Sequence, residues 1–369
     1  MALSVDEVRF LARTPIEQPQ KVETGIAAVE KLRAAYGDYG RAVAELLAAR
    51  ASGKVPSDWL VDSDSAQQAT PEPIARERAA RLSGRGVIHD VTCSVGTEGR
   101  FFGDSVTWIG SDLSEARLLM ARHNLPSRSF LRADATVPAT RPDVVVADPA
   151  RRSGGRRISD PAQLIPPLPT LLEAWPGAEM AVKCAPGIDY SEWPGLVTVS
   201  SVNGGVKETC LYTPGLAFGE ERREALVHSG GAVDRLTDLM SDGVAVGGHG
   251  RYIVDPDGAI VRAGLVRHFA AREELWMLDE RIAYLTGDRI PAGYTGFEVR
   301  EQVPLKKLKA TVAAHDAGSA EILVRGVDVS PDQLRKKLKL GGSQAIGIVI
   351  TRIGKTAVAF VCGPRSAAD

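Results

Sequence analysis

The chain has 369 residues, 44% of them apolar, with 45 Lys and Arg against 46 Asp and Glu. That length allows two or three domains with sizeable cores, and a net charge near zero excludes a chain that is a basic nucleic-acid coat throughout. The charge is unevenly spread: residues 300–369 hold 12 Lys and Arg against 6 Asp and Glu, while residues 1–299 hold 33 against 40, so a basic C-terminal module follows an acidic remainder.

The N-terminus lacks a basic region followed by an apolar one, and no apolar run reaches membrane-spanning length, so the expectation is a cytoplasmic protein with no membrane partner. Cys93, Cys184, Cys210 and Cys362 form no C-x-x-C pair, and His89 has no second histidine at ligand spacing; neither a metal site nor a disulfide framework is expected. Residues 1–64 show helical spacing at Ile26, Val29, Leu32 and then at Val43, Leu46, Leu47, broken by Gly37, Gly40 and the turn at 53–56, and read as a helical cap leading into a helix over 68–82.

The most informative run is 87–157. A short strand ends on Asp90, a turn of small residues follows with Thr92, Ser94, Gly96 and Gly99, and a second strand ends on Asp112, 22 residues after Asp90. That separation predicts a turn-and-helix segment joining adjacent parallel strands, with the second acid set for ribose hydroxyls. Ala116, Leu119, Met120 and His123 recur at helical spacing; 130–132 reads as a third strand running into Asp134; 143–147 reads as a buried central strand that delivers Asp148-Pro149 to the carboxyl edge, where ligands bind. Gly-x-Gly-x-x-Gly is absent. A bound pyrophosphate needs that close backbone approach, and an adenosine ligand without phosphates, such as S-adenosylmethionine, does not.

These motifs resemble the class I S-adenosylmethionine-dependent methyltransferases: Asp90 to Gly99 match the first motif, Asp112 the ribose acid, Asp134 the adenine-side acid and Asp148-Pro149 the fourth motif. The sequence departs from Asp-x-Gly-x-Gly-x-Gly at Thr92 and Ser94. Gln68-Ala69-Thr70-Pro71-Glu72-Pro73-Ile74-Ala75 looks like the entry helix of trimethylguanosine synthase-type RNA methyltransferases, which borders the cofactor. Asp148-Pro149-Ala150-Arg151-Arg152 and the ending 334–342 are similar to a bacterial group of methyltransferase-like proteins with a C-terminal THUMP-like domain. The resemblance implies an α/β chain: a Rossmann-like class I methyltransferase sheet with an N-terminal helical region (1–64), the catalytic domain (65–215), a connector or small α/β subdomain (216–296) and an α+β THUMP-like domain (297–369).

It also implies S-adenosylmethionine as cofactor, held by Thr70, Asp90, Thr92, Ser94, Gly96, Asp112, Leu113, Asp134 and Ala135. Asp148 and Pro149 would orient the methyl acceptor, since proline fixes the backbone and the carbonyl before it projects into the site. The bland alternatives stand beside these roles. Asp148-Pro149 also suits a plain strand end, and Thr70 with Glu72 an N-cap and first-turn acid. The place of the family's stacking aromatic is Arg151; with Arg152, Arg156 and Arg157 it makes either a lip that grips phosphates or a solvated loop.

Lys183 reads as a substrate-side charge or as a lysine snorkelling from the sheet edge, and Cys184 as a small buried hydrophobe more readily than a nucleophile. Lys336 and Lys337, with Lys306, Lys307, Lys309, Arg335 and Lys339, form either an RNA-facing patch, as in THUMP-type domains, or the solvated side of an amphipathic helix. Further on, 179–184 reads as a strand, 197–202 with 208–212 as a hairpin turning at Asn203-Gly204-Gly205, 252–261 as strand, turn and strand, and Leu265 to Ile282 as helical. In the C-terminal region, 321–325, 345–351 and 357–362 read as strands flanking a helix from Pro331. The expected activity is methylation of a nucleobase of structured RNA such as tRNA or rRNA. The alternatives are a small-molecule or protein methyltransferase and a non-catalytic RNA-binding protein.

Overall fold

The structure, a computed structural model, describes residues 2–19, 25–150, 152–153 and 156–368. The chain forms two compact units, Met1–Val202 with Lys207–Gly219, and Asn203–Val206 with Glu220–Asp369.

The first unit opens with helices α1 (Val5–Arg13), α2 (Ile26–Tyr36), α3 (Gly40–Ala51), α4 (Ser63–Gln68) and α5 (Glu72–Leu82). α1 starts on a capping box in which the Glu7 amide donates to Ser4 Oγ and the Ser4 amide to Glu7 Oε2, satisfying donors that the first turn leaves unpaired. Val8, Leu11, Val43, Leu46 and Leu47 bury together in the helical cap.

The sheet of this unit comprises β1 (Val87–Asp90), β2 (Thr107–Asp112), β3 (Ser129–Arg132), β4 (Val144–Ala147), β7 (Glu179–Cys184), β8 (Leu196–Val202) and β9 (Gly205–Tyr212), in the order β8-β9-β7-β4-β1-β2-β3. A two-stranded ribbon, β5 (Arg152–Ser153) and β6 (Arg156–Arg157), follows β4, and helices α6 (Glu115–Asn124) and α7 (Leu168–Ala174) complete the unit. β3, β2, β1, β4 and β7 run parallel and β9 antiparallel to β7. All four residues of β4 are buried, as a central parallel strand covered on both faces requires. β1 sends the chain to β2 on one side and has β4 on the other, the topological switch point at which such sheets open a crevice at their carboxyl edge. One expectation changes here: β1 and β2 are joined through a single 3-10 turn, Gly99–Phe101, rather than a full helix.

In the second unit β10 (Arg223–Ser229) and β11 (Ala232–Thr237) form an antiparallel pair. β12 (Tyr252–Val254), β13 (Trp276–Asp279), β14 (Ile282–Gly287), β15 (Thr295–Pro304), β16 (Ala317–Val324), β17 (Gln344–Ile353) and β18 (Thr356–Cys362) lie in the order β13-β14-β12-β15-β18-β17-β16, with β19 (Ser366–Ala367) on β15. Helices α8 (Gly258–Arg262) and α9 (Val266–Arg272) follow β12; α10 (Leu308–Ala314) precedes β16 and α11 (Pro331–Leu338) joins the parallel strands β16 and β17. Leu308 and Val312 of α10 and Leu338 of α11 pack on Ile346, Ile348 and Ile350 of β17.

Two expectations are corrected. The second strand expected within 252–261 is α8: the Asp257 carboxylate accepts from the Ala259 amide at 2.7 Å, so Asp-Gly caps a helix instead of turning a hairpin. The helical stretch expected to run to Ile282 ends at Arg272; Leu278 and Ile282 belong to the β13–β14 hairpin.

Candidate active site

The register of the parallel strands builds the site. β4 and β7 pair through Ala147 and Val182, so the next residue of each strand, Asp148 and Lys183, stand side by side at the carboxyl edge. Lys183 Nζ lies 2.8 Å from Asp148 Oδ2, 3.1 Å from Glu98 Oε1 and 2.6 Å from Thr70 Oγ1. The ammonium donates to the Thr70 hydroxyl and forms ion pairs with the two carboxylates. Asp148 is the partly accessible member, with 25% of its side chain exposed against 5% for Lys183.

Behind Lys183 the network continues inward. Arg78 of α5 donates from Nε to Glu98 Oε2 at 3.2 Å and from Nη2 to Glu208 Oε1 at 2.6 Å, and its Nη1 lies 3.0 Å from Cys210 Sγ. Arg78, Glu98 and Glu208 are all buried. Burial works against ionised Glu98, yet the Arg78 and Lys183 cations hold its carboxyl down at about 2. Desolvation likewise opposes the Lys183 charge, and Asp148 and Glu98 overcome it, so its pKa is raised. Asp90, at the end of β1, is buried within the same field; there burial wins over Lys183 and pushes the carboxyl up to about 7.

The turn after β1 explains the departure from the glycine pattern at Thr92 but not the one at Ser94. Thr92 Oγ1 accepts the Asp148 amide at 2.6 Å, a bond that glycine could not make. Ser94 takes a left-handed φ of 49°, which costs a non-glycine residue energy, and its amide donates to Asp112 Oδ2 at 3.2 Å. The Ser114 amide meets Asp112 Oδ1 at 2.8 Å and the Ser114 hydroxyl caps α6. Gly96, at φ 89°, supplies the backbone freedom this turn needs. Next to Asp112, Leu113 is 62% exposed. Asp134 is exposed and folds back on Thr136, whose amide and hydroxyl both reach its Oδ1 and lower its pKa; the next residue, Ala135, is buried.

The structure thus brings Thr70, Asp90, Thr92, Asp148 and Lys183 into one cluster, with Ser94 and Gly96 on the adjoining turn and Asp112 at the end of β2 bonded to it. Thr70 does not cap α5: Pro71 holds that position and the Thr70 hydroxyl accepts from Lys183. Glu72 is in the first turn as expected and pairs with Arg76. Lys183 does not snorkel; it is buried. Arg151 lies outside the described residues, and Arg152 begins the β5–β6 ribbon after Pro149. Lys336 and Lys337 are exposed on α11 of the second unit.

His89 packs within the sheet, between Ser111 Oγ and Thr140 Oγ1, and burial lowers its pKa to about 4. Among the described residues no group of His, Cys, Asp and Glu is arranged to hold a metal ion, and no helix is long and apolar enough to cross a membrane. Sequence reasoning missed Arg78, Glu98 and Glu208. Arg78 falls on the buried face of α5 with Ile74, Ala75 and Leu82, and a charged residue at an apolar position of a helix was the available signal.

Residues 294–364 match the model of the THUMP domain-like family. The chain is 46% identical over 360 residues to an uncharacterized S-adenosylmethionine-dependent methyltransferase of Mycobacterium tuberculosis, spanning 90% of this chain and 99% of that protein. The same figures hold for the counterpart in a second strain of that organism. A crystal structure of a candidate methyltransferase from Porphyromonas gingivalis superposes with a TM-score of 0.71 over 98% of both chains at 17% identity, so the whole fold is shared with it. The chain therefore belongs to the S-adenosylmethionine-dependent methyltransferases, takes S-adenosylmethionine as its methyl donor, and carries a THUMP-like domain toward its C-terminal end.

Proposed function

We propose that this methyltransferase modifies a nucleobase of structured RNA in the cytoplasm, with Asp148-Pro149 orienting the acceptor atom and the C-terminal THUMP-like domain, over about residues 297–369, recruiting the RNA. The observation that carries the reading is Asp148 itself: a carboxylate at the carboxyl end of the central strand, a quarter exposed, held by a buried cation at 2.8 Å. A carboxylate fixed in that way can accept a hydrogen bond from an exocyclic amine or a ring N–H and align it.

S-adenosylmethionine supplies an electrophilic methyl group on a sulfonium. The residues at the switch point suit it. The Asp112 carboxylate receives two backbone amides, and a carboxylate has about four lone-pair positions, so ribose hydroxyls can share it. Leu113 offers an exposed apolar face for adenine and Asp134 a carboxylate for its amino group, with Ala135 next in the chain. Asp90, Thr92, Ser94 and Gly96 shape the turn that receives the remainder, and Thr70 closes the site from the α5 side.

RNA as substrate is favoured by the exposed cations on α10 and α11, Lys309, Arg335, Lys336, Lys337 and the neighbouring Lys306 and Lys307, which suit phosphate binding. Arg151 and Arg152, directly after Asp148-Pro149-Ala150, are suited to grip the substrate backbone, and the Thr-Pro-Glu-x-Ile-Ala string supports kinship with trimethylguanosine synthase-type enzymes. The test supplies labelled S-adenosylmethionine to the purified protein with total RNA, total protein and the small-molecule extract of a strain lacking it. Label in the RNA fraction alone supports the reading; label confined to protein or small molecules overturns the RNA assignment.

A further inference from the structure

Lys183 is the buried cation that holds Asp148 at the carboxyl edge, and its Nζ faces protein oxygens rather than open solvent. Its side chain is 5% exposed; it pairs with the Asp148 and Glu98 carboxylates at 2.8 and 3.1 Å and donates to Thr70 Oγ1 at 2.6 Å. Such an ammonium acts on a substrate only through the group it touches that is itself accessible, and that group is Asp148. We infer that Lys183, clamped by Thr70 and Glu98, is a positioning residue that fixes the orientation and the ionised state of the Asp148 carboxylate. The inference rests on Asp148 being the acceptor-side group.

The charges around the pair decide the sign. Asp90 of β1, when ionised, opposes a negative Asp148, and Glu98 of the turn before β2, Glu208 of β9 and Arg78 of α5 also face Lys183. Glu98 is offset by Arg78 at 3.2 Å, and Arg78 in turn binds Glu208 at 2.6 Å. Asp90, with its raised carboxyl, holds its proton through mildly acidic pH. The ammonium 2.8 Å away acts on Asp148 at contact distance, in a largely buried setting where such a pair is weakly screened. A carboxylate so held is an oriented hydrogen-bond acceptor and a weak base. It aligns an N–H donor during methyl transfer and does not store a proton beforehand.

The test is a carboxyl-carbon NMR titration of the full-length protein labelled at aspartate, with the Asp148 resonance assigned by its loss in Asp148→Asn. In the wild type the carboxyl should still be ionised at the ordinary aspartate midpoint of about 3.9. In Lys183→Met the midpoint should rise by about 1–3 units, and transfer of labelled methyl to total RNA should fall at least tenfold while S-adenosylhomocysteine binding by calorimetry stays within twofold. An Asp148 midpoint at or above the ordinary value in the wild type overturns the inference, and that measurement needs no Lys183 variant to fold. An unchanged midpoint in a folded Lys183→Met overturns it as well. If the titrations behave as stated and no RNA is labelled by the wild type, the clamp stands and the RNA assignment fails.

Discussion

At the residue scale, Thr92 shows how a departure from a family pattern becomes intelligible once partners are known. Its hydroxyl ties the start of Asp148-Pro149 to the turn after β1. Thr92→Gly should therefore lose about 1 kcal/mol of stability in urea unfolding and slow methyl transfer, and Thr92→Ser should recover both. Asp90 and His89 give the site opposing pH dependences. Asp90 is raised to about 7 by burial, so between its unfolded value near 3.9 and about 7 the folded state binds more protons than the unfolded one, and stability falls as pH rises. His89 is lowered to about 4, so between about 4 and its unfolded value near 6.5 stability rises with pH. The two slopes offset each other. Asp90→Asn removes one of them, and its stability relative to wild type should climb by up to about 1.4 kcal/mol per unit from pH 4 to 7, read from urea unfolding across pH. A difference that stays flat would show that Asp90 is ionised throughout. Asp90, Asp112 and Asp148 were legible in the sequence because strand ends and spacing mark them. The contact between Thr70 and Lys183 was not, because it joins segments 113 residues apart.

At the scale of elements, the strands with strong apolar runs were legible: β4, β7, β17 and β18 all appear where their composition predicts. Ambiguity arose where one signal served two structures. Asp257-Gly258 suits a hairpin turn or a helix cap, and the cap won because Ala259 and Ile260 bury as helical residues. Asp257→Ala should then cost about 1 kcal/mol in urea unfolding, whereas a turn residue of an exposed hairpin would cost little. The spacing of Leu265, Phe269, Leu275, Leu278 and Ile282 mimics a helix, but Glu274 takes a left-handed φ of 58° and ends it. Deeper in the first unit, α5, β7 and β9 are linked to the turn before β2 by Arg78, Glu98, Lys183 and Glu208. Arg78→Ala leaves two buried carboxylates without that guanidinium and should destabilise by about 3–5 kcal/mol, lowering the urea midpoint accordingly.

At the scale of the molecule, the uneven charge seen in the composition corresponds to exposed cations on α10 and α11 of the second unit. Replacing Lys336 and Lys337 by glutamine should weaken RNA binding without changing S-adenosylmethionine binding. The salt dependence of RNA affinity should flatten by about 0.7–0.9 in logarithmic slope for each phosphate that the variant no longer neutralises. The most direct measurement joins the two halves of the account: wild type and Asp148→Ala are incubated with labelled S-adenosylmethionine and total RNA from a strain lacking the protein, followed by nucleoside digestion and mass analysis. Label in one modified nucleoside, lost in Asp148→Ala although cofactor binding by calorimetry persists, is the predicted result. An RNA that stays unlabelled by the wild type, or a variant that labels it equally well, would contradict the assignment of Asp148 as the group that orients an RNA base for methylation.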